Sequence, residues 1–540
     1  MRQSLLALFL VASIGVQAAE MTLKVRSRYL NLPVSQATER RRLTFRAEGI
    51  DEISVLVRLA EGEPDYWVFK DMEAYKGRTL TLSYEGSEAA LRAIQQADTI
   101  MGQAQMYREA NRPQFHFTTR RGWINDPNGL IFHDGEYHLF YQHNPYEREW
   151  QNMHWGHAVS PDLLHWTELN DALYPDAAGT MFSGSAVFDR ENTSGFGTKQ
   201  NPPLVFAYTN DGRHETQCLA YSLDRGRTLT KYAGNPVVDS HAKWQTHDTR
   251  DPRLLWYAPA RHWVMVLNER NGHSIYTSDN LRDWSYQSHV TGFWECPDLV
   301  ELPVDGNPGQ TMWLLYGASG TYMLGQFDGR VFTPSSGKHC YTSGTIYAAQ
   351  TITDVPDGRC IQIGWGRVSH PDMPFNGMML LPTELTLRTT REGVRLCSRP
   401  IREVESLLLP LYSAERPLSQ SMAAEALNRY ADRDGLHIRC TLNLTYATSA
   451  TLRLNGQTLI DYDLNQNLLN GRFYSPQQIG SLSLPVELFI DRTSVEVFVE
   501  DGLYSYSLAR TLSDNREGFR FSGSELSIAD LRVDGIRSIW

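Results

Sequence analysis

The stretch WINDPNGLIFHDGEYHLF, residues 123–140, indicates the fold class of the chain. Two short apolar segments, 129–132 and 137–140, flank a turn that contains Asp and Gly, which predicts two adjacent β-strands. Before them, Asp126 is followed by Pro127, and a residue that precedes proline is held in an extended conformation. The stretch therefore predicts a strand pair with an acidic side chain fixed at a rigid bend.

The same pattern recurs along the chain at intervals of roughly 45 to 70 residues. The further strand pairs are 185–188 with 204–206, 251–255 with 263–266, 298–300 with 313–316, and 349–352 with 361–363. Related outer segments lie between them, at 160–166, 222–226 and 278–284. A strand repeat of this length is typical of a β-propeller with one blade per repeat. A β-sandwich with chance similarity between its segments is the alternative.

The sequence predicts an all-β chain: a five-bladed β-propeller followed by a C-terminal β-sandwich, with a small extra N-terminal β module. The predicted divisions are a signal peptide at 1–19, the N-terminal β module at 20–110, the propeller at 111–399, a linker at 400–416 and the sandwich at 417–540. Within these divisions, residues 88–107 read as a helical connector and residues 400–412 as a linker helix.

Charge and the first residues limit the partners and the location of the protein. A net charge of −11 argues against nucleic acid or an anionic membrane as a partner, because both require a basic surface. Arg2, an apolar run from Leu5 to Val16 and small residues near Ala18 predict a secretory signal peptide, and hence a secreted or periplasmic protein. The run is shorter than the roughly 20 residues that span a bilayer, and no later segment qualifies. The six cysteines lack the spacing of a metal site, and the sequence fixes neither their pairing nor the oligomeric state.

Three carboxylates lie beside rigid bends: Asp126, Asp251 in Arg-Asp-Pro-Arg (250–253), and Glu295 in Phe-Trp-Glu-Cys-Pro-Asp (293–298). Each could be an ordinary turn residue when it is considered alone. In a propeller, however, the first strand of each blade lines the central axis, so acids at equivalent positions in three blades converge. Converging carboxylates repel one another, a cost that a fold retains where chemistry needs it.

These segments resemble the signature motifs of glycoside hydrolase family 32, the family of invertases, inulinases and levanases. The similarity runs from about residue 112 to the C-terminus and includes YQHNP (141–145), MHWGH (153–157), FSGS (182–185), YAAQ (347–350), IGWG (363–366) and DRTSVEV (491–497). The resemblance implies a propeller plus sandwich and a retaining mechanism that acts on fructans (levan or inulin) and sucrose. It implies no cofactor and no metal, because two carboxylates supply the acid and the nucleophile.

By this resemblance Asp126 is the nucleophile, Glu295 the general acid/base and Asp251 the transition-state stabiliser, with Arg250 orienting them. Retention requires two carboxyl groups about 5 to 5.5 Å apart, one to attack the anomeric carbon and one to protonate the leaving oxygen. The nucleophile must be ionised, which calls for hydrogen-bond donors such as backbone amides. The resemblance also implies substrate contacts, which comprise three polar residues and four aromatic ones: Asn125, Gln142 and Ser183, and Trp150, Phe182, Tyr347 and Trp365. For each aromatic residue, a place in the propeller core is the alternative.

Two other functions remain open from the sequence. Residues 222–228, Ser-Leu-Asp-Arg-Gly-Arg-Thr, are similar to the Asp-box turn of sialidases, which would make the chain a sialidase-like hydrolase with a tyrosine nucleophile. A secreted propeller that binds polysaccharide without cleaving it is the non-enzymatic alternative. Two features depart from the family pattern: Ile124 replaces a more common Met or Asn, and the N-terminal module is absent from the simplest members. The module lacks a convincing aromatic cluster, so we expect it to brace the propeller.

Overall fold

The computed structural model describes residues 18–474, 482–510 and 516–540. The chain divides into two compact units, of which the first ends at Gln103 and the second begins at Ala104. Strands dominate both units, so the chain is all-β, as predicted. Residues 1–17 of the predicted signal peptide lie outside the described residues, and the signal peptide stays a prediction. Within the described residues, none of the helices has the length and apolarity that crossing a bilayer requires.

The first unit contains two antiparallel sheets of short strands. Its strands are β1 (Ala19–Lys24), β2 (Tyr29–Val34), β3 (Arg41–Ala47), β4 (Ile50–Val57), β5 (Tyr66–Asp71), β6 (Thr79–Tyr84) and β7 (Gln95–Ala97), with a 3-10 helix at Glu73–Tyr75. One sheet has the order β1-β6-β3-β4 and the other β5-β2-β7. In β6, Leu80 and Leu82 are fully buried and alternate with exposed or half-buried neighbours, as the strand period of two requires, whereas β3 buries Leu43, Thr44 and Phe45 in succession.

The predicted helical connector at residues 88–107 is wrong for most of its length. A single turn of α-helix, α1 (Glu88–Arg92), is capped by Ser87, whose hydroxyl oxygen accepts from the Ala90 N–H at 3.1 Å. The chain then forms β7, which pairs with β2, and a 3-10 helix at Gln103–Gln105. Helix propensity is a weak preference that a strand partner can override, because the partner satisfies the same backbone groups.

The second unit begins with antiparallel sheets built from strands that follow one another in sequence. These strands are β8 (Gly122–His133), β9 (Glu136–Asn144), β10 (His154–Ser160), β11 (Thr167–Glu168), β12 (Thr180–Phe188), β13 (Leu204–Asp211), β14 (Glu215–Ser222), β15 (Thr230–Lys231), β16 (Thr249–Tyr257), β17 (His262–Glu269), β18 (Gly272–Ser278), β19 (Ser285–Thr291), β20 (Asp298–Val304), β21 (Asn307–Tyr316), β22 (Thr321–Phe327), β23 (Phe332–Pro334), β24 (His339–Cys340), β25 (Thr342–Gly344), β26 (Ile346–Thr351), β27 (Cys360–Gly366), β28 (Phe375–Asn376), β29 (Met378–Met379), β30 (Thr383–Thr390) and β31 (Gly393–Pro400). A short helix, α2 (His241–Trp244), precedes β16.

Consecutive strands form the sheets β8 to β11, β12 to β15, β16 to β19 and β20 to β23, while β26, β27, β30 and β31 lie side by side in that order. Each strand pair predicted from the repeat is an antiparallel pair, namely β8–β9, β12–β13, β16–β17, β20–β21 and β26–β27. We refer to these groups below as the first to the fifth sheet.

Shared apolar cores join neighbouring sheets. Ile131 and Phe140 of the first sheet pack with Phe206 of the second. Similar cores join the second to the third, the third to the fourth and the fourth to the fifth sheet. A further core brings Leu139 of the first sheet together with Ile363 of the fifth. Each large apolar side chain buried in this way contributes roughly 1.5 to 3 kcal/mol to folding.

The outer segments predicted from the repeat form the same turn in three sheets. In each turn a Ser hydroxyl contacts the side chain two residues later: Ser160 with Asp162, Ser222 with Asp224, and Ser278 with Asn280. The residue after each of these side chains, at 163, 225 and 281, has a positive φ. The internal repeat therefore extends from the strands to the hydrogen bonds of their turns.

The rest of the chain forms two further sheets. Its strands are β32 (Leu408–Ser413), β33 (Leu418–Ser419), β34 (Leu436–Asn443), β35 (Ser449–Leu454), β36 (Gln457–Asp463), β37 (Leu468–Leu469), β38 (Arg472–Phe473), β39 (Ser483–Ile490), β40 (Ser494–Val499), β41 (Tyr504–Ala509), β42 (Phe519–Ser522) and β43 (Ser527–Ile536), and its helix is α3 (Gln420–Asn428). The sheets have the orders β25-β41-β40-β39-β34-β43-β32, with β33 also beside β43, and β38-β37-β36-β35-β42. The predicted linker helix is wrong beyond a 3-10 helix at Arg402–Leu407, because β32 pairs with β43 and this pairing satisfies its backbone.

A buried ionic cluster connects the start of the repeat region to the C-terminal sheet. The His116 ring lies 2.7 Å from Asp491 through Nδ1 and 2.6 Å from Glu496 through Nε2. Burial acts to lower the pKa of His116, but the hydrogen bonds with the two carboxylates outweigh it and raise the pKa to about 9. A protonated His116 thus donates to two acids of the DRTSVEV segment and offsets part of their mutual repulsion.

Candidate active site

The first strand of each of four sheets is irregular near its start, where a predicted site residue lies. The strand pairing shifts between Ile124 and Pro127 around Asp126, and between Phe182 and Gly184 around Ser183. The strand pairing also shifts between residues 250 and 253, around Asp251, and between residues 347 and 350, directly after Tyr347. A β-bulge bends its strand and redirects a side chain, so these irregularities free the site residues from the regular alternation of the sheet.

The backbone is also strained at two of the predicted acids and at Cys296. Asp251, Glu295 and Cys296 have φ angles of 65°, 51° and 42°, a conformation that costs on the order of 1 to 3 kcal/mol for residues other than glycine. Hydrogen bonds hold this geometry: the N–H of Asp251 donates to Thr209 Oγ1 at 2.9 Å, and the N–H of Glu295 donates to Asn268 Oδ1 at 2.9 Å.

The structure brings the three predicted acids together from two sheets and one connection: Asp126 lies on β8, Asp251 on β16 and Glu295 between β19 and β20. The Cys296 sulfur lies 3.6 Å from an Asp126 carboxylate oxygen and 3.5 Å from an Asp251 carboxylate oxygen. Repulsion from both Asp126 and Glu295 contributes to the raised pKa of Asp251. Cys296, which the sequence analysis did not select, thus sits between two acids, and each of the six cysteines is unpaired.

Asp126, Asp251 and Cys296 also offer one ligand atom each within 4.8 Å of one another, a spacing that one cation could bridge. The sequence analysis predicted no metal here. The two acids already have hydrogen-bond donors, so their arrangement is explained without an ion.

Glu295 is held from two sides. Arg250 Nη1 donates to Glu295 Oε1 at 3.0 Å, and the Tyr347 hydroxyl donates to Glu295 Oε2 at 2.6 Å. Arg250 is itself fixed by Glu215, 2.6 Å from its Nη2, and by Asp248. Burial acts to lower the pKa of Arg250, but Glu215 and Asp251 outweigh it and raise the pKa. Glu215 and Asp248 were not foreseen, because no motif or spacing in the sequence connects them with Glu295.

Asp126 accepts hydrogen bonds from neighbouring side chains. Ser183 Oγ donates to Asp126 Oδ2 at 2.7 Å, and Asn125 Nδ2 donates to Asp126 Oδ1 at 3.2 Å. Trp123 Nε1 donates to Asn125 Oδ1 at 2.8 Å and orients the amide. Burial raises the pKa of Asp126, and the hydrogen bonds only partly oppose it. These donors to Asp126 are side chains, and not the backbone amides that were expected.

Ser183 reaches Asp126 because a glycine follows it. A Cβ atom at Gly184 would lie 1.9 Å from the Ala207 carbonyl oxygen, so any other residue would push β12 away from β13. At the FSGS segment the backbones of β12 and β13 thus approach closely, and this places the Ser183 hydroxyl next to Asp126.

Two of the predicted aromatic residues lie next to the acids, since Tyr347 donates to Glu295 and Phe182 directly precedes Ser183, and each packs against a second predicted aromatic ring. The Trp150 side chain is 49% exposed, and its ring centroid lies 5.9 Å from that of Phe182. Trp365 is half-buried and lies 6.3 Å from Tyr347, with its ring nearly perpendicular. Gln142 is buried and its amide donates to the Met181 carbonyl oxygen at 2.9 Å. Partly open aromatic faces near the acids could therefore contact a ligand.

The segment that is similar to a sialidase Asp-box lies elsewhere. Its arginines, Arg225 and Arg227, both pair with Glu136, at the end of the β8–β9 pair remote from Asp126. The arginine next to the acids is instead Arg250. The geometry thus gives the Asp-box segment a structural role in a turn.

We expect Asp251→Asn to stabilise the protein increasingly as the pH rises. Burial and repulsion from Asp126 and Glu295 raise the pKa of Asp251 to about 8. Between its ordinary value of 3.8 and about 8, the folded chain keeps a proton that the unfolded chain loses, so the wild type loses stability as the pH rises through this range. Asn cannot ionise, and its amide oxygen can still accept from the Cys296 N–H. The gain in the free energy of unfolding should be small at pH 4 and on the order of a few kcal/mol at pH 8.

Urea denaturation at the two pH values measures this difference. Asp279→Asn, which alters an exposed aspartate, serves as the control and should show no such dependence on pH. An equal effect of Asp251→Asn at pH 4 and pH 8 would show that Asp251 is ionised throughout.

Comparisons with known proteins agree with this geometry. The family model described as "Glycosyl hydrolases family 32 N-terminal domain" matches residues 116–400. The chain is 37% identical over 491 residues to a levanase of Bacillus subtilis, which covers 80% of this chain and 72% of that protein. It is 32% identical over 516 residues to an extracellular exo-inulinase of Aspergillus niger, which covers 80% of this chain and 96% of that protein.

A solved structure extends the similarity to the fold. The crystal structure of exo-inulinase from Aspergillus awamori matches with a TM-score of 0.71 and 29% identity, and the match covers 80% of this chain and 100% of that one. The family model spans β8 and β16, which carry Asp126 and Asp251, and the connection between β19 and β20, which carries Glu295. The chain is a glycosidase, and it belongs to family 32 of the glycosyl hydrolases.

Proposed function

We propose that the protein hydrolyses β-D-fructofuranosyl linkages in fructans and sucrose with retention of configuration. One observation carries this proposal: Asp126 and Asp251 both contact the sulfur of Cys296, the residue after Glu295, so acids distant in sequence share one site. Levanase and exo-inulinase activities among the similar proteins support the choice of a fructosyl substrate.

In the first step Glu295 donates its proton to the glycosidic oxygen while Asp126 attacks C2 of the fructosyl unit. The C2–O bond to the leaving group breaks, a bond from C2 to the Asp126 carboxylate forms, and the leaving group departs as an alcohol. Ser183 and Asn125 hold the Asp126 carboxylate by hydrogen bonds, so the attacking oxygen has a fixed direction.

In the second step Glu295, now a carboxylate, removes a proton from water, and the resulting hydroxide displaces Asp126 from C2. Both steps pass through a transition state that resembles an oxocarbenium ion. Asp251 forms hydrogen bonds with the sugar hydroxyls and holds the ring in place as positive charge develops at C2. Arg250 and Tyr347 hold Glu295 in place throughout, because each donates to one of its two oxygens.

The substrate contacts and the architecture are part of the same proposal. Asn125, Gln142, Ser183 and Arg250 form the polar side of the pocket, and Trp150, Phe182, Tyr347 and Trp365 form its aromatic wall. The five sheets surround a common axis as a five-bladed propeller, which the apolar cores between successive sheets support. A sandwich follows the propeller, the first unit is a separate β module, and a signal peptide directs the protein out of the cytoplasm.

We expect Tyr347→Phe to lower kcat/KM about tenfold, mainly through kcat, because a hydrogen bond to a charged group is worth roughly 1.5 kcal/mol. The hydroxyl donates to Glu295 at 2.6 Å and holds one of its two oxygens in place. Phe keeps the ring and removes this bond, so Glu295 is less well placed to transfer its proton. Steady-state kinetics on sucrose measures the loss, and a kcat/KM within about twofold of the wild type would contradict a positioning role for the hydroxyl.

The function is tested by incubating the protein with levan, inulin and sucrose and separating the products by chromatography. Release of fructose from sucrose and from at least one fructan is expected. Fructose alone from the polymer indicates exo-action, and a series of oligosaccharides indicates endo-action. Binding without any product would favour the non-catalytic alternative. The initial anomer of the released fructose, followed by NMR, tests retention.

A further inference from the structure

A second concave site lies away from the acids. It is a cavity of about 660 Å³ lined by residues towards the ends of β12, β16, β20 and β26 and by residues that follow them. Asp251 lies near the start of β16, and Glu295 precedes β20 in the chain. A strand advances about 3.3 Å per residue, so Trp256, which lines the cavity, is about 16 Å from Asp251 along β16. The cavity is therefore distinct from the candidate active site.

A fixed tryptophan presents an exposed surface to this cavity. Trp256 is 37% exposed, although it pairs with Trp263 near the end of β16. It packs edge-on against Trp263, with ring centroids 4.9 Å apart and an interplanar angle of 63°. Trp263 is buried and donates from its indole nitrogen to Thr193 Oγ1 at 2.8 Å. Trp256 thus offers a rigid apolar platform at little cost in side-chain entropy.

The charged groups of the lining are balanced. Four acidic and four basic side chains face the cavity: Asp189, Glu191, Glu301 and Asp354, and Arg190, Arg253, Arg261 and Arg359. Arg190 pairs with Asp354 at 3.0 Å, and Arg253 pairs with the buried Asp298 at 3.0 Å. A lining without net charge gives no preference for an anion or a cation, while its many donors and acceptors favour a neutral ligand rich in hydroxyl groups.

We propose that this cavity is a second, non-catalytic carbohydrate site that holds a segment of a fructan chain. The inference rests on the proposed function, which supplies the polymer. Its volume falls within the range of roughly 300 to 1,000 Å³ of ligand pockets, and an aromatic face with a few polar groups is the usual lining of such sites. One face of a sugar ring packs on Trp256, and the charged side chains form hydrogen bonds with the sugar hydroxyls.

A second site is expected to raise the rate of hydrolysis of polymers and to leave the hydrolysis of short substrates unchanged. A chain held at the cavity stays near the enzyme, which raises the effective concentration of other ends of the same branched or associated polymer at the acids. Sucrose is too short to gain from this tethering. The cavity should therefore affect kcat/KM for levan or inulin and leave kcat/KM for sucrose unchanged.

The test compares Trp256→Ala with Tyr446→Ala, a control that removes an aromatic side chain 76% exposed on the C-terminal sheets. Trp256→Phe is the conservative variant. We expect Trp256→Ala to lower kcat/KM for the polymer about 5- to 20-fold with sucrose turnover within about twofold of the wild type, and Trp256→Phe to recover part of the loss. In gels that contain levan or inulin, the same substitution made in an Asp126→Asn background should weaken the retardation of the protein.

The outcomes separate the two proposals. Wild-type protein that releases no fructose from sucrose or polymer contradicts the proposed function. Wild-type protein that is active on both, with Trp256→Ala indistinguishable from Tyr446→Ala on the polymer and in the gels, overturns the second site. A fall in sucrose turnover equal to the fall in polymer turnover also overturns it, because the substitution would then act through the fold.

Discussion

Replacement of Asp126 with Asn is expected to lower kcat on sucrose and on fructans by at least about 10,000-fold. The substitution preserves the size of the side chain, and the amide oxygen can still accept the hydrogen bond from Ser183. A neutral amide, however, cannot form the bond to C2, and the pathway through a covalent intermediate is lost. The free energy of unfolding should not fall, because burial raises the pKa of Asp126 and makes its charge costly to the fold.

Steady-state kinetics with stability measured in parallel check this expectation. Asp279→Asn, at an exposed position, is the matched control and should retain wild-type kcat. Asp126→Ala leaves space for azide, and azide entering there should yield a fructosyl azide of inverted configuration from an aryl fructoside. Asp126→Asn protein that keeps a tenth or more of the wild-type kcat would show that another group is the nucleophile.

The strand pairs of the repeat region could be predicted from the sequence, because short apolar segments separated by turns carry enough information. The pairs that begin with residues 129–132 and 185–188 are examples. The predictions of helix at 88–107 and 400–412 were wrong over most of their length. Composition alone suggested these helices, but parts of both segments form strands that pair with neighbouring strands. A local propensity of a few tenths of a kcal/mol per residue cannot outweigh pairing with a neighbouring strand.

The acids of the site could be predicted, but the geometry that makes them converge could not. The register shifts beside Asp126, Ser183 and Asp251 leave no trace in hydrophobic alternation, because a bulge adds one residue without changing the composition of the strand. The residues that hold Arg250 also escaped prediction. Glu215 lies at the start of β14, and its pairing with Arg250 depends on how two sheets meet.

Replacement of Glu295 with Gln is expected to produce the second largest effect, and its size should depend on the leaving group. With sucrose, whose leaving group departs as a poor alkoxide, loss of the proton donor should lower kcat/KM about 1,000-fold. With an aryl β-fructofuranoside, whose leaving group needs little protonation, the first step should survive with a much smaller loss. Gln keeps acceptor and donor atoms near Tyr347 and Arg250, so the pocket retains its shape.

The aryl substrate then separates the two roles of Glu295, because water must still be deprotonated in the second step. A burst of the aryl alcohol followed by slow turnover is expected, with the protein gaining the mass of one fructosyl residue at Asp126. Azide, which needs no base, should accelerate the second step and give a product of retained configuration, opposite to the product expected with Asp126→Ala. Glu63→Gln, at an exposed glutamate, should behave as the wild type in each assay. Equal losses of kcat/KM on sucrose and on the aryl substrate would contradict the role of Glu295 as acid, since a residue that only positions the substrate cannot distinguish leaving groups.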